Sequence, residues 1–176
     1  MEIGLAKNEV KLYAYTEEWQ NEFRKVKQQI MDVTGLEAER IQHIGSTAIK
    51  DMPAKPIIDL LVGVDDLAKI EKTLFKELQN IGFLRLRVER ADEIVLAMFT
   101  DDTYEVKTHF IHMVDFDKEL WRNQLFFRDY LNSNVEAREE YRKIKTTSAK
   151  QEDININTYT DLKEPFVKSI FTRRIK

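Results

Sequence analysis

The residues richest in chemistry lie between His43 and Val62: His43-Ile44-Gly45-Ser46-Thr47-Ala48-Ile49-Lys50-Asp51-Met52-Pro53-Ala54-Lys55-Pro56-Ile57-Ile58-Asp59-Leu60-Leu61-Val62. A glycine and a serine follow a strand-like run, and the next residues can begin a short helix before Pro53 stops it. Backbone N–H groups at such a start, with the Ser46 and Thr47 hydroxyls, can form a small anion cradle suited to phosphate. The same dipeptide also serves as an ordinary turn. Asp59 breaks an otherwise apolar run. An ionised carboxylate in a central strand is costly unless it faces a cleft, binds a cation or meets a donor; it can equally cap a helix or pair with a Lys or Arg. Lys55, just ahead of that strand, could be the donor or a contact for a ligand phosphate. His43 could face the same cleft or bond to nearby backbone. Arg122 and Arg128, on an aromatic helix, could reach a phosphate or pair with Asp129 and other surface acids.

These residues need elements to position them. The chain has 176 residues, 43% of them apolar and 34% charged, which predicts one globular domain over 1–176. Five glycines and three prolines exclude collagen-like and linker-dominated chains, and Gly45, Pro53, Pro56 and Gly63 bracket the stretch above. A net charge of −3 supplies no global basic field for coating duplex nucleic acid. With no cysteine there are no disulfides, Cys-ligated metals or thiol nucleophiles. The N-terminus lacks a basic stretch followed by an apolar core, and no apolar run approaches ~18 residues, so a cytoplasmic protein without a membrane partner is expected.

Apolar spacing predicts a first helix through Trp19, Phe23, Val26, Ile30 and Val33, stopped at Gly35. A second, capped at Asp65 or Asp66, runs through Leu67, Ile70, Leu74 and Leu78. Strands are expected over Arg40 to Ile44, Ile57 to Val64, Phe83 to Val88, Glu93 to Thr100 and Tyr104 to Val114. Three helices follow, marked by Leu120 to Leu131, by Ala137, Tyr141 and Ile144, and by Leu162, Phe166 and Ile170. Lys143, Lys145, Lys150, Arg173, Arg174 and Lys176 read there as a solvated basic face. The order predicts an α/β (α+β) fold: a mixed sheet with helices packed on it and a helical C-terminal part. Walker, dinucleotide-binding, zincin and nucleophile-elbow signatures are absent.

The run from His43 to Val62, preceded by Val10-Lys11-Leu12 and by Trp19 and Phe23, closely resembles the GrpB family of the nucleotidyltransferase superfamily. The resemblance continues through His109-Phe110-Ile111-His112-Met113-Val114, Leu120 to Leu131 and Tyr159-Thr160-Asp161-Leu162-Lys163, nearly the whole chain. It implies a nucleotidyltransferase-like fold in which Gly45, Ser46 and Thr47 hold nucleotide phosphates and Lys55 neutralises their charge. Asp59 would then bind Mg²⁺ and orient an acceptor hydroxyl. The resemblance also implies an alternative, since GrpB-like domains occur fused to dephospho-CoA kinase: a non-catalytic domain that assists folding or meets a protein partner.

The superfamily pattern needs two carboxylates one residue apart, on one face of a strand. Asp59 is present, but Leu61 stands at the second position. The polar candidates to replace it are Glu105, His109 and His112 on a neighbouring strand, and Glu89 or Glu93. His109 and His112 have opposite parity on a regular strand, so one of them is expected at the cleft.

Overall fold

In the computed structural model, which describes residues 2–88 and 90–175, the chain runs β1 (Leu5–Ala6), α1 (Glu18–Thr34), β2 (Ile41–Ile44), β3 (Ile58–Val64), α2 (Lys72–Asn80), β4 (Leu84–Arg85), β5 (Ile94–Phe99), β6 (Val106–Asp115), α3 (Glu119–Ser133), α4 (Val135–Ala149) and α5 (Ile156–Arg173). The expected α/β class is the observed one. The strands form a sheet in the order β2-β3-β6-β5-β4. β3 and β6 are parallel, and β2–β3, β4–β5 and β5–β6 are antiparallel. β1 pairs with the start of β6, and Gly4 donates its backbone N–H to the Pro56 carbonyl.

β3 is hydrogen-bonded on both sides and covered on both faces, which is why its sequence is a nearly unbroken apolar run. Ile58, Leu60, Val62 and Val64 point into the main core with Trp19, Phe23, Val26 and Ile30 of α1 and Leu78 of α2. Trp19 and Ile30 are fully buried, and burying such side chains contributes roughly 1.5–3 kcal/mol each. Asp59 and Leu61 point to the opposite face. Leu61 is sealed there with Ile44, Val114 and Trp121. A third cluster joins Ile49 and Met52, in the β2–β3 connection, to Phe127 and Leu131 of α3, Tyr141 of α4 and Phe166 and Ile170 of α5. The three C-terminal helices are thereby held over the connection that carries the Gly-Ser turn.

Several expected elements differ. The second helix begins only at Lys72, because Asp66 accepts from Ala68 N and Leu67 N donates to Asp115 Oδ1 at 2.6 Å, fixing Leu67–Lys69 as a separate 3-10 turn. The strand expected from Phe83 to Val88 is two residues long. Tyr104 has φ 57° and lies in the hairpin connection, so β6 starts at Val106. On α5 the buried stripe is Tyr159, Phe166 and Ile170, whereas Leu162 is exposed. That rotation turns Lys163 inward. Glu89 and Lys176 lie outside the described residues.

Candidate functional site

β2 ends at Ile44, and Gly45 then takes φ 71°, ψ −174° before a 3-10 turn over Ser46–Ala48. Glycine is required here for two reasons. A side chain is strained at that φ, and a Cβ would come within 2.5 Å of Asp59 Oδ2. Asp59 sits opposite Ile44 in the β2–β3 ladder, which brings its carboxylate against the turn. The turn is held from α3: Asn132 Nδ2 donates to Ala48 O at 3.0 Å, and Lys50 N donates to Asn132 Oδ1 at 2.9 Å.

Gly45→Ala is therefore expected to destabilise the protein more than Gly35→Ala. Both replace a glycine at φ near 70°, but Gly35 (ψ 9°) lies in the left-handed α region that other residues occasionally adopt, with nothing within 4 Å of a Cβ, whereas Gly45 (ψ −174°) lies where essentially only glycine is found. The difference in thermal unfolding therefore combines the extra backbone strain at Gly45 with the displacement of Asp59. Equal losses of melting temperature would show that Asp59 is not held against this turn.

A cavity of about 230 Å³ opens between the turn and the C-terminal helices, lined by Gly45, Ser46, Thr47, Lys55 and Asp59 from the sheet side and by Tyr141, Lys145, Tyr159 and Lys163 from α4 and α5. Three lysines from three separate elements thus share one space. Lys145 is almost fully buried and donates to the Pro53 carbonyl at 2.6 Å. Lys163 and Lys55 lie over the Tyr159 ring, at 4.2 and 5.7 Å from its centroid. Burial lowers all three lysine pKa values. It takes Lys163 to about 8, helped by Lys55 and opposed by Asp59. It takes Lys145 well below its ordinary value, helped by Lys163 and Lys55. For Lys55 burial again dominates and Asp59 opposes it. Burial pushes the Tyr141 phenol up to about 12 despite its bond to Ser46, and holds Tyr159 above its ordinary value.

Parity sorts the histidines. His112 shares a face with Asp59 and Leu61 and is opposite Leu61 in the β3–β6 register. Its Nε2 lies 3.1 Å from Asp59 Oδ1, and its Nδ1 meets Glu93 Oε1. Each ring nitrogen faces a carboxylate oxygen, so both carry a proton. Burial opposes that charge, but the hydrogen bonds and fields of Asp59 and Glu93 outweigh it and raise His112 to about 9. Burial likewise pushes Glu93 up, and His112 and Arg90 override it, holding Glu93 at about 2.

The remaining cleft candidates lie elsewhere. His109 points to the α1 face, where Nε2 is 3.2 Å from Glu22 Oε1. His43 also faces α1, stacked on Phe23 at 4.8 Å, and reaches the site only through Nε2 and Thr47 Oγ1, 2.9 Å apart; burial lowers it to about 4. Glu105 is exposed in the hairpin connection, and its carbonyl accepts from Lys7 N. Arg128 is spent on structure: it donates to His43 O at 3.0 Å and Gln42 Oε1 at 3.1 Å and pairs with Asp129, tying α3 to β2. Arg122 pairs with Asp117. Lys145, expected from sequence on a solvated face, is instead inside the cleft. Lys163, Tyr141 and Tyr159 also enter the site, and a sequence signal exists for both lysines. Lys145 follows Tyr141 by four residues on the buried stripe of α4, and Lys163 follows Tyr159 by four on that of α5.

The resemblance implies Mg²⁺, and the donors present do not fit a resident divalent ion. Mg²⁺ prefers six oxygen ligands and is usually held by one or two carboxylates plus substrate phosphates. Leu61 is fully buried in apolar packing where the second carboxylate would stand. Glu93 is turned to His112 and Arg90. Among the described residues, no group of three His, Cys, Asp or Glu side chains is arranged to hold a metal.

The model of the GrpB protein family matches residues 9–173. The chain belongs to the GrpB family. It is 38% identical over 169 residues to the Glutamate-rich protein GrpB of Alkalihalophilus pseudofirmus, covering 96% of this chain and 97% of that one. The crystal structure of the conserved protein GrpB from Enterococcus faecalis superimposes with a TM-score of 0.77 at 27% identity, over 93% of this chain and 96% of that one. A dephospho-CoA kinase of Mycolicibacterium paratuberculosis is 27% identical over 193 residues, and the GrpB-like match covers 96% of this chain but only 47% of the kinase. Among the described residues, no helix of this GrpB chain is long and apolar enough to cross a membrane.

Proposed function

We propose that the cleft binds a phosphorylated small molecule, nucleotides among them, with Lys55, Lys145 and Lys163 neutralising its phosphates and the Ser46–Thr47 turn orienting them. The observation that carries this reading is the convergence of three lysines on a single partly desolvated cavity that also contains the turn. Like charges so placed repel one another and are costly to bury; a multiply charged anion relieves both penalties together. The volume supports a small charged group, since about 230 Å³ falls below the ~300–1,000 Å³ of pockets that enclose drug-sized ligands. A phosphate or diphosphate fits inside, and the rest of a nucleotide would extend toward solvent.

Calorimetric titration with pyrophosphate and with ATP is expected to show saturable binding to one site, weakened in Lys145→Met and Lys163→Met. Absence of binding by phosphate, pyrophosphate and ATP would overturn the reading and favour the alternative of a domain that assists folding or meets a protein partner. Nucleotidyl transfer is a narrower version of the same proposal. It would require Asp59, the carboxylate in the cavity wall, to accept the proton of an incoming hydroxyl. Acceptor-dependent release of pyrophosphate from ATP, lost in Asp59→Asn, would support it, whereas tight binding without release would make the cleft a binding site.

A further inference from the structure

We infer that the cleft holds its anion directly through its own cations, with no divalent metal between ligand and protein. This inference rests on the phosphate-binding reading above and goes beyond it by assigning how the negative charge is met.

Two of the oxygens that a metal would need, Asp59 Oδ1 and Thr47 Oγ1, are already engaged. Asp59 Oδ1 faces His112 Nε2 at 3.1 Å, and Oδ2 lies against Gly45. Thr47 Oγ1 is 2.9 Å from His43 Nε2. The next position on the Asp59 face of β3 is Leu61, fully buried. A cation entering here would find one carboxylate and would have to displace its existing partner. It would also enter a space already lined by Lys55, Lys145 and Lys163, all of which repel it. The same three ammonium groups offer a phosphate hydrogen bonds and charge with no intermediary, the role a metal bridge would otherwise fill.

The two arrangements make opposite predictions for Asp59. If a metal bridges, removing the carboxylate weakens binding. If the lysines bind directly, Asp59 is a negative charge beside a negative ligand, and Asp59→Asn tightens binding several-fold. The test is titration of the intact protein with pyrophosphate in excess EDTA and again with excess MgCl₂. The expected result is binding in EDTA at least as tight as with Mg²⁺, and tighter binding still in Asp59→Asn. Binding that appears only with Mg²⁺, or strengthens about tenfold or more with it, a difference of about 1.4 kcal/mol, would overturn the inference while leaving the phosphate-binding reading intact. Absence of binding under both conditions would take down both. The comparison on the unaltered protein decides the matter even if Asp59→Asn fails to fold.

Discussion

Lys163→Met is expected to weaken pyrophosphate binding by roughly 10- to 150-fold at neutral pH while making the unliganded protein more stable. The loss follows from removing one charge-assisted contact, worth about 1.5–3 kcal/mol. The gain follows from what Lys163 suffers in the empty cleft. Its pKa falls from 10.5 to about 8, so the folded state disfavours its charged form. A tenfold change in proton affinity corresponds to about 1.4 kcal/mol, and losing the cation–π contact with Tyr159 returns about half of the resulting total. A net gain of about 1–2 kcal/mol remains, which raises the melting temperature by a few degrees in a chain of this size.

The lowered pKa of Lys163 also fixes how stability varies with pH. Below about 8, folding carries the full cost of a charged Lys163; between about 8 and 10.5 the unfolded chain binds more protons and stability rises with pH. The gap between Lys163→Met and the unaltered protein should therefore close across that window. Anion affinity should move the other way, falling by up to tenfold per pH unit above about 8 as the ammonium is lost. Sulfate is the suitable ligand for that titration because its own charge is constant there. A variant that binds pyrophosphate normally, or one that is destabilised at pH 7, would contradict the placement of Lys163 in an anion cleft.

The parts of this site that sequence makes legible are those fixed by strand periodicity. One charge in an apolar run identifies β3 and singles out Asp59, and two-residue parity separates His112 from His109 without any knowledge of the neighbouring strands. Leu61 is legible as a departure, although its burial against Trp121 depends on where α3 lands. The lysines are harder to see. Charged residues on helices are usually solvated, so Lys145 and Lys163 merge with the basic residues around them. Their four-residue offset from Tyr141 and Tyr159 marks the buried face only once the phase of each helix is known, and on α5 the choice of Leu162 over Tyr159 sets that phase wrongly. Glu105 and Arg128 fail for a related reason: a charged residue near the right strand or turn says nothing about which side it faces until the hairpin and α3 are in place.

His112→Gln should cost the fold about 2–4 kcal/mol, with a pH dependence that identifies the cause. His112 spans Asp59 and Glu93, and removing one partner of a buried ionic group costs ~3–5 kcal/mol because the remaining charges are left uncompensated. The Asp59 side chain is 28% exposed, which places the expected value toward the low end. His112 is raised from 6.5 to about 9, so its contribution is fully present below 6.5 and is lost as pH rises through about 9. Glu93 is lowered from 4.5 to about 2, so its contribution is fully present above 4.5 and is lost as pH falls through about 2. Urea unfolding of the two proteins should therefore differ most between pH 4.5 and 6.5 and converge in alkali. A difference of the same size above pH 9 would mean that His112 acts through packing or neutral hydrogen bonds. The window also separates the two halves of the site. Raising the pH from about 8 toward 9 discharges Lys163 ahead of His112, so anion binding should weaken while the Asp59–His112–Glu93 chain is still largely charged and the protein still folded.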